Sequence, residues 1–328
     1  MRFAVDTWAP DYGSAMEAAA LEPAAVEPNL DVEVPAADWA PRRPPGTPAR
    51  RVLFIDGVRR IDARVWISGD DGRTHLGIAA SYAAGVVGCD GEARLLAARV
   101  RRGLFTPAPG AEAIVTRHGV YEARMVDGDT TEQLSAGLQQ RMGELEARVA
   151  DEVDEPSGPR PRPRPLSTGP RPRPRPCPTD RVLVVDGPLF GRQHVPGAVG
   201  YIKTHRVGYL PAAAQRVVAA LAAGQRTPLF AVTDRRWSRY SWYARLPGGE
   251  GHPWAGVVRC ESSADLDPSA AARLADRVTV TLPRFASAGH KDPRAPQNLY
   301  PIAGMERELA SRLGDGALLY RALRAAAT

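Results

Sequence analysis

Apolar positions along this chain follow two different periods. Val52–Ile55 and Val182–Val185 are continuous apolar runs, each closed by an acid and a glycine. Such runs suit strands buried in a sheet. Between Val52 and Phe105, short β-branched runs alternate with turn signals at Asp71-Gly72 and Asp90-Gly91. They predict successive antiparallel strands. Leu134, Leu138, Met142, Leu145 and Val149 recur at intervals of three or four. That spacing predicts a helix over 129–152, with Asp129 as its N-cap and Glu132 three residues on. Further along, the pattern predicts a helix over 212–223 and strands at 227–234, 239–247 and 255–262. A helix at 268–276 and a strand at 277–283 follow, and helices over 304–313 and 317–326 close the chain. The mixture is α/β, or α+β, around a mixed sheet.

Composition changes this picture at two places. Residues 1–50 are rich in Ala, Pro and acids and read as an arm. It carries one short helix at Ser14–Leu21 and an extended lead-in pinned by Trp39. Residues 153–179 hold a twice-repeated Pro-Arg tract, which favours a flexible, polyproline-like linker without a core of its own. Neither flank looks complete alone, so the reading is one domain over 51–328, interrupted by that linker. The net charge of +6 misleads in the same way. Arg160, Arg162, Arg164, Arg171, Arg173 and Arg175 account for the whole excess, so the folded parts are near neutral. The basic pI is no sign of a basic domain. No apolar run is long enough to span a bilayer, and the N-terminus lacks the apolar region of a secretory signal. Cys89, Cys177 and Cys260 are far apart and odd in number, which fits a reducing cytoplasm better than a disulfide framework.

The strongest chemical signal is the repeated strand end, Asp56-Gly57 and Asp186-Gly187. Acids at the ends of buried strands sit where a sheet opens to solvent. Two of them can converge on one hard cation such as Mn²⁺ or Mg²⁺. Each Asp-Gly alone is also a common turn. A Walker A sequence, a GxGxxG fingerprint and a GxSxG elbow are all lacking.

The stretch VLFIDGVRRIDARVWI, the stretch VLVVDGPL followed by GYIKTH, and QNLYPIAGMERELASRLGD resemble three motifs of the NurA family of DNA-end-processing nucleases. The resemblance touches residues 52–66, 182–206 and 297–315. It implies an RNase-H-like core with flanking helices and a Mn²⁺- or Mg²⁺-dependent deoxyribonuclease that resects 5′ ends. It further implies a homodimer that works with a HerA-type hexameric ATPase in DNA repair or phage defence. Carried over, Asp56 and Asp186 match the strand-end metal ligands. The family's helical glutamate falls on Glu146, with Glu144 as the alternative. Lys203 matches a lysine that holds the scissile phosphate. Glu306 stands where the family has a histidine, so it reads either as a carboxylate ligand or as a surface helical residue. His205 reads as structural.

A separate cluster joins Arg236, Trp237, Arg239 and Tyr240, with Lys291 in a later polar loop. Arginines that contact phosphate beside aromatics that stack on bases suit single-stranded DNA. Alternating aromatics in a strand equally fill a core, and about half should then be buried. The rival to a nuclease is a catalytically weak, DNA-binding adaptor of a HerA-type translocase.

Overall fold

The computed structural model describes residues 21–68, 72–154, 181–189, 191, 192, 195, 197–234, 237–249 and 253–327. The Pro-Arg tract and nearly all of the segment 14–21 lie outside these residues. The strands are β1 (Glu22–Pro23), β2 (Arg51–Ser68), β3 (Thr74–Asp90), β4 (Glu92–Thr106), β5 (Ile114–Thr116) and β6 (Gly119–Met125). After helix α1 (Thr131–Asp154) come β7 (Arg181–Asp186), β8 (Ala198–Ile202) and β9 (Val207–Gly208). Helix α2 (Ala212–Ala219) precedes β10 (Phe230–Thr233), β11 (Ser238–Arg245) and β12 (Val257–Ser263). Helices α3 (Pro268–Thr281), α4 (Tyr300–Arg312) and α5 (Gly316–Ala326) complete the set. Ten strands follow one hydrogen-bonded order, β10-β11-β12-β8-β7-β2-β3-β4-β6-β5, and β1 pairs with β9. The class is mixed α/β, with parallel and antiparallel pairs in the same sheet. Among the described residues no helix is long and apolar enough to cross a membrane.

Two compact units emerge from this chain. The first comprises Met1–Phe54, Gly88–Ala93 and Pro159–Ala303. In it β7 runs parallel to β8, with Asp186 opposite Tyr201, and β12 runs antiparallel to β8. Val182–Val185 are all buried, as expected of an apolar run inside a sheet. Phe230, Val232, Tyr243 and Val257 from the sheet pack on Leu210, Ala214, Val218 and Leu221. Trp39 covers that core: its indole lies 6.3 Å from Phe230, and its Nε1 donates to the Leu30 carbonyl. Strand β11 does not alternate, since Ser241 through Arg245 are all buried. A strand with neighbours on both edges and cover on both faces has no solvent side.

The second unit comprises Ile55–Val87, Arg94–Gly158 and Gly304–Thr328. Its sheet half also mixes directions, β4 with β6 parallel and β5 with β6 antiparallel. Leu134, Leu138, Met142, Leu145 and Val149 are buried, so the helical stripe faces the core. The N-terminus of α1 is capped one residue later than expected. Thr130 Oγ1 accepts from Gln133 N–H, and Gln133 Oε1 accepts from Thr130 N–H. This is a capping box on Thr130 and Gln133 rather than on Asp129 and Glu132.

One expected strand is absent. Residues 277–283 continue α3 to Thr281 and then form a short 3-10 turn, Leu282–Phe285. Asp267 caps the helix, Pro268 takes its first position, and Ala271, Ala275 and Val278 are buried at helical spacing. The threonines conform because Thr279 Oγ1 donates to Ala275 O and Thr281 Oγ1 to Arg277 O. Packing of that face outweighs the β preference of Val and Thr. Helix α4 also starts at Tyr300, earlier than expected.

Candidate functional site

In the second unit, three carboxylates gather around β2. Asp56 is buried, at 7% exposure, and its Oδ1 accepts the N–H of Gly57 at 2.7 Å. At Gly57 side chains of α1 crowd against the strand. A Cβ placed there would stand 2.6 Å from Glu146 Oε1 and 2.8 Å from Met142 Cγ. Only a residue without a side chain admits that approach. Glu146 is buried, at 3% exposure. Glu144, two residues away, instead pairs with Arg141 at 2.8 Å on a half-exposed face. On α4, Met305 and Leu309 pack on Gly85 of β3. Glu306, next to that face, brings one carboxylate oxygen within 4.8 Å of one from Asp56. Glu308 points away and pairs with Arg312. Clustered carboxylates in a poorly hydrated place repel one another unless a cation or proton intervenes. An all-oxygen set matches Mg²⁺ or Mn²⁺.

The close approach at Gly57 makes a prediction. Gly57→Ala must push Glu146 and Met142 off the strand. It should lower stability by about 1–3 kcal/mol, the usual cost of overpacking. Chemical unfolding checks this, and a variant as stable as the parent would contradict the close packing.

In the first unit, Asp186 ends β7 and meets Lys203, which follows β8. Lys203 Nζ lies 2.7 Å from Asp186 Oδ2 and 3.0 Å from Asn298 Oδ1. Asn298 is fully buried, and its Nδ2 donates to Asp292 Oδ2 at 2.8 Å. Asp292 Oδ1 in turn accepts the N–H of Arg294. Asp186 Oδ1 is buried and has no hydrogen-bond partner among the described residues. The turn after Asp186 is fixed by reciprocal backbone bonds between Gly187 and Tyr201. It is fixed again by Glu261, whose Oε1 accepts the N–H of Leu189 at 2.6 Å. Arg259 holds the other oxygen of Glu261 at 2.9 Å. Gly200 makes room, since a Cβ there would stand 2.8 Å from both Glu261 Cγ and Leu189 N.

His205 belongs to the core. It is 3% exposed, its Nε2 lies 3.1 Å from Val257 O, and Trp254 and Tyr243 flank its ring. Burial pushes its pKa down to about 4, so it stays neutral at ordinary pH. Of the candidate DNA contacts, Arg236 lies outside the described residues. Arg239 is buried and bonds Asp234 Oδ2 at 2.9 Å, with Glu261 Oε2 3.5 Å away. Its guanidinium also stacks over Trp237 and Tyr209. Trp237 and Tyr240 are half-buried, whereas Lys291 is exposed, with its ammonium 5.9 Å from the Tyr300 ring.

Sequence reasoning missed Asn298, Asp292 and Glu261. Asn298 lies within the quoted QNLYP stretch, so the motif was found but not its polar member. Glu261 interrupts an apolar strand, and an acid there signals a buried charge that needs a partner. No protein-family model matches the chain, and no curated protein matches it.

Proposed function

We infer that this chain is a metal-dependent deoxyribonuclease with an RNase-H-like core. The observation that carries this reading is the pair Asp56 and Glu306 in the second unit, whose carboxylate oxygens lie within 4.8 Å of one another, a grouping suited to a metal ion. Two further features support it. Glu146 is buried against Gly57 beside Asp56, and Asp186 Oδ1 is a buried acceptor without a donor among the described residues. Within the second unit Asp56, Glu146 and Glu306 would hold Mn²⁺ or Mg²⁺, and within the first the NurA-like motif makes Asp186 a cation ligand. When bound, such an ion polarises a phosphoryl oxygen and lowers the pKa of water. The chain's own residues supply the rest: the carboxylates place the charge, and Lys203 offers an ammonium to the scissile phosphate. Lys291, exposed on its loop, is the best placed of the described candidate DNA contacts to meet a phosphate backbone. The NurA-like motifs extend the proposal to DNA ends, a homodimer and a HerA-type ATPase partner, acting in repair or defence.

The test is cleavage of single-stranded and duplex DNA ends by the purified chain, with Mn²⁺, with Mg²⁺ and with a chelator. Cutting that needs the metal supports the proposal. DNA binding without cutting in any metal, with or without a HerA-type ATPase, overturns it in favour of the adaptor reading.

A further inference from the structure

The ion pair on Asp186 creates a competition within the first unit. Lys203 gives its ammonium to Asp186 Oδ2 at 2.7 Å, and both side chains are largely buried, at 11% and 13% exposure. The ammonium is also held from behind, because Asn298 Oδ1 accepts from it at 3.0 Å. Asn298 is aimed by Asp292, itself 5% exposed and fixed by the Arg294 N–H. The arrangement is a chain of Asp292, Asn298, Lys203 and Asp186, in which the amide tethers the lysine to its own loop. A divalent cation on Asp186 must share that carboxylate with a unit positive charge. In a poorly hydrated place two such cations repel strongly.

We propose that Lys203 is a resident counter-cation of Asp186, tethered by Asn298, that weakens divalent-cation binding there until an anionic phosphate draws the ammonium away. The inference rests on the metal reading of Asp186. It adds a regulatory coupling: phosphate binding and cation binding favour each other, because each relieves the other's competitor. A substrate-free chain then holds its metal loosely, and the complete site assembles on nucleic acid. Asn298 keeps the ammonium within reach when it leaves Asp186. This part of the QNLYP stretch is a positioning element, not a ligand.

The experiment is a titration of the full chain with Mn²⁺ alone, following the electron paramagnetic resonance signal of the free ion. Lys203→Met is expected to bind Mn²⁺ at least tenfold more tightly than the parent, and Lys203→Arg, which keeps the charge, to stay near it. The rise in melting temperature on adding Mn²⁺ should likewise be larger in Lys203→Met, which guards against a variant that merely folds poorly. Equal or weaker binding by Lys203→Met overturns the proposal. Asp186→Asn separates the two layers. If it weakens binding while Lys203→Met changes nothing, only the counter-cation idea fails. If Asp186→Asn leaves Mn²⁺ binding untouched, the metal reading of Asp186 fails with it.

Discussion

Asp56→Ala and Asp186→Ala should each lower metal-dependent DNA cleavage by on the order of a hundredfold or more, the usual scale for removing one group that stabilises developing charge. Asp56 accepts the Gly57 N–H, and asparagine at 56 can still accept that bond through its side-chain oxygen. Asp56→Asn therefore separates charge from shape: the turn survives and the anionic ligand does not. Asp186 does double duty. Its loss also removes the carboxylate that lies 2.7 Å from the largely buried Lys203 ammonium, so Asp186→Ala should melt lower as well as cut more slowly. Asp186→Asn keeps an acceptor for Lys203 and should recover part of the stability without the cleavage. Initial rates on an end-labelled oligonucleotide in Mn²⁺, with circular dichroism to confirm folding, check these outcomes. Parent-like cleavage by Asp56→Asn and Asp186→Asn would sink the mechanism.

What was legible in the sequence divides along physical lines. The two strand-end acids were visible because they interrupt apolar runs, and a charge beside buried β-branched residues needs a reason. The stripe on α1 was visible for a similar reason, since packing of one helical face leaves a period in the sequence. The choice between Glu144 and Glu146 was not visible. Both flank the stripe, and only the close approach at Gly57 puts Glu146 inward while Arg141 takes Glu144. Residues 277–283 misled because Val-Thr alternation carries a period of two. Ala271, Ala275 and Val278 carry the helical period across the same stretch. Arg239 shows a third limit. From sequence it sits among exposed-looking arginines and aromatics, yet it is drawn inside by nearby Asp234 on one side and by Glu261, on the neighbouring strand β12, on the other. Pairings between residues far apart in the chain leave no local trace.

Arg226→Ala should be the most destabilising single substitution outside the site, by about 3–5 kcal/mol, the range for breaking a buried ion pair. Arg226 is fully buried. Its Nη1 and Nη2 meet the two oxygens of Glu33 at 2.8 Å each, and its Nε meets Asp276 Oδ1 at 2.7 Å. Glu33 Oε2 also accepts the N–H of Leu229. One guanidinium thus fastens the segment around Glu33, from the N-terminal arm, to α3 and to the lead-in of β10. Planar two-point pairing of this kind suits arginine and not lysine, so Arg226→Lys should also lose stability. The pH dependence has a definite sign. Burial pushes the Glu33 pKa up, but the hydrogen bond and charge of Arg226 and the Leu229 N–H outweigh it, and the value falls below the ordinary 4.5. A lowered carboxylate stabilises the fold fully above the unfolded value and loses that contribution as pH drops through the folded value. The parent should therefore weaken as pH falls below about 4.5. Arg226→Ala removes the guanidinium that holds the Glu33 value down and should lack this acid-sensitive component. Because Arg226 and Glu33 act as a unit, Glu33→Ala combined with Arg226→Ala should cost much less than the two single losses added together. Urea unfolding at pH 7 and along a pH series measures both effects. A loss under about 0.5 kcal/mol in Arg226→Ala, the level of an ordinary surface change, would show that the arm is held by something else.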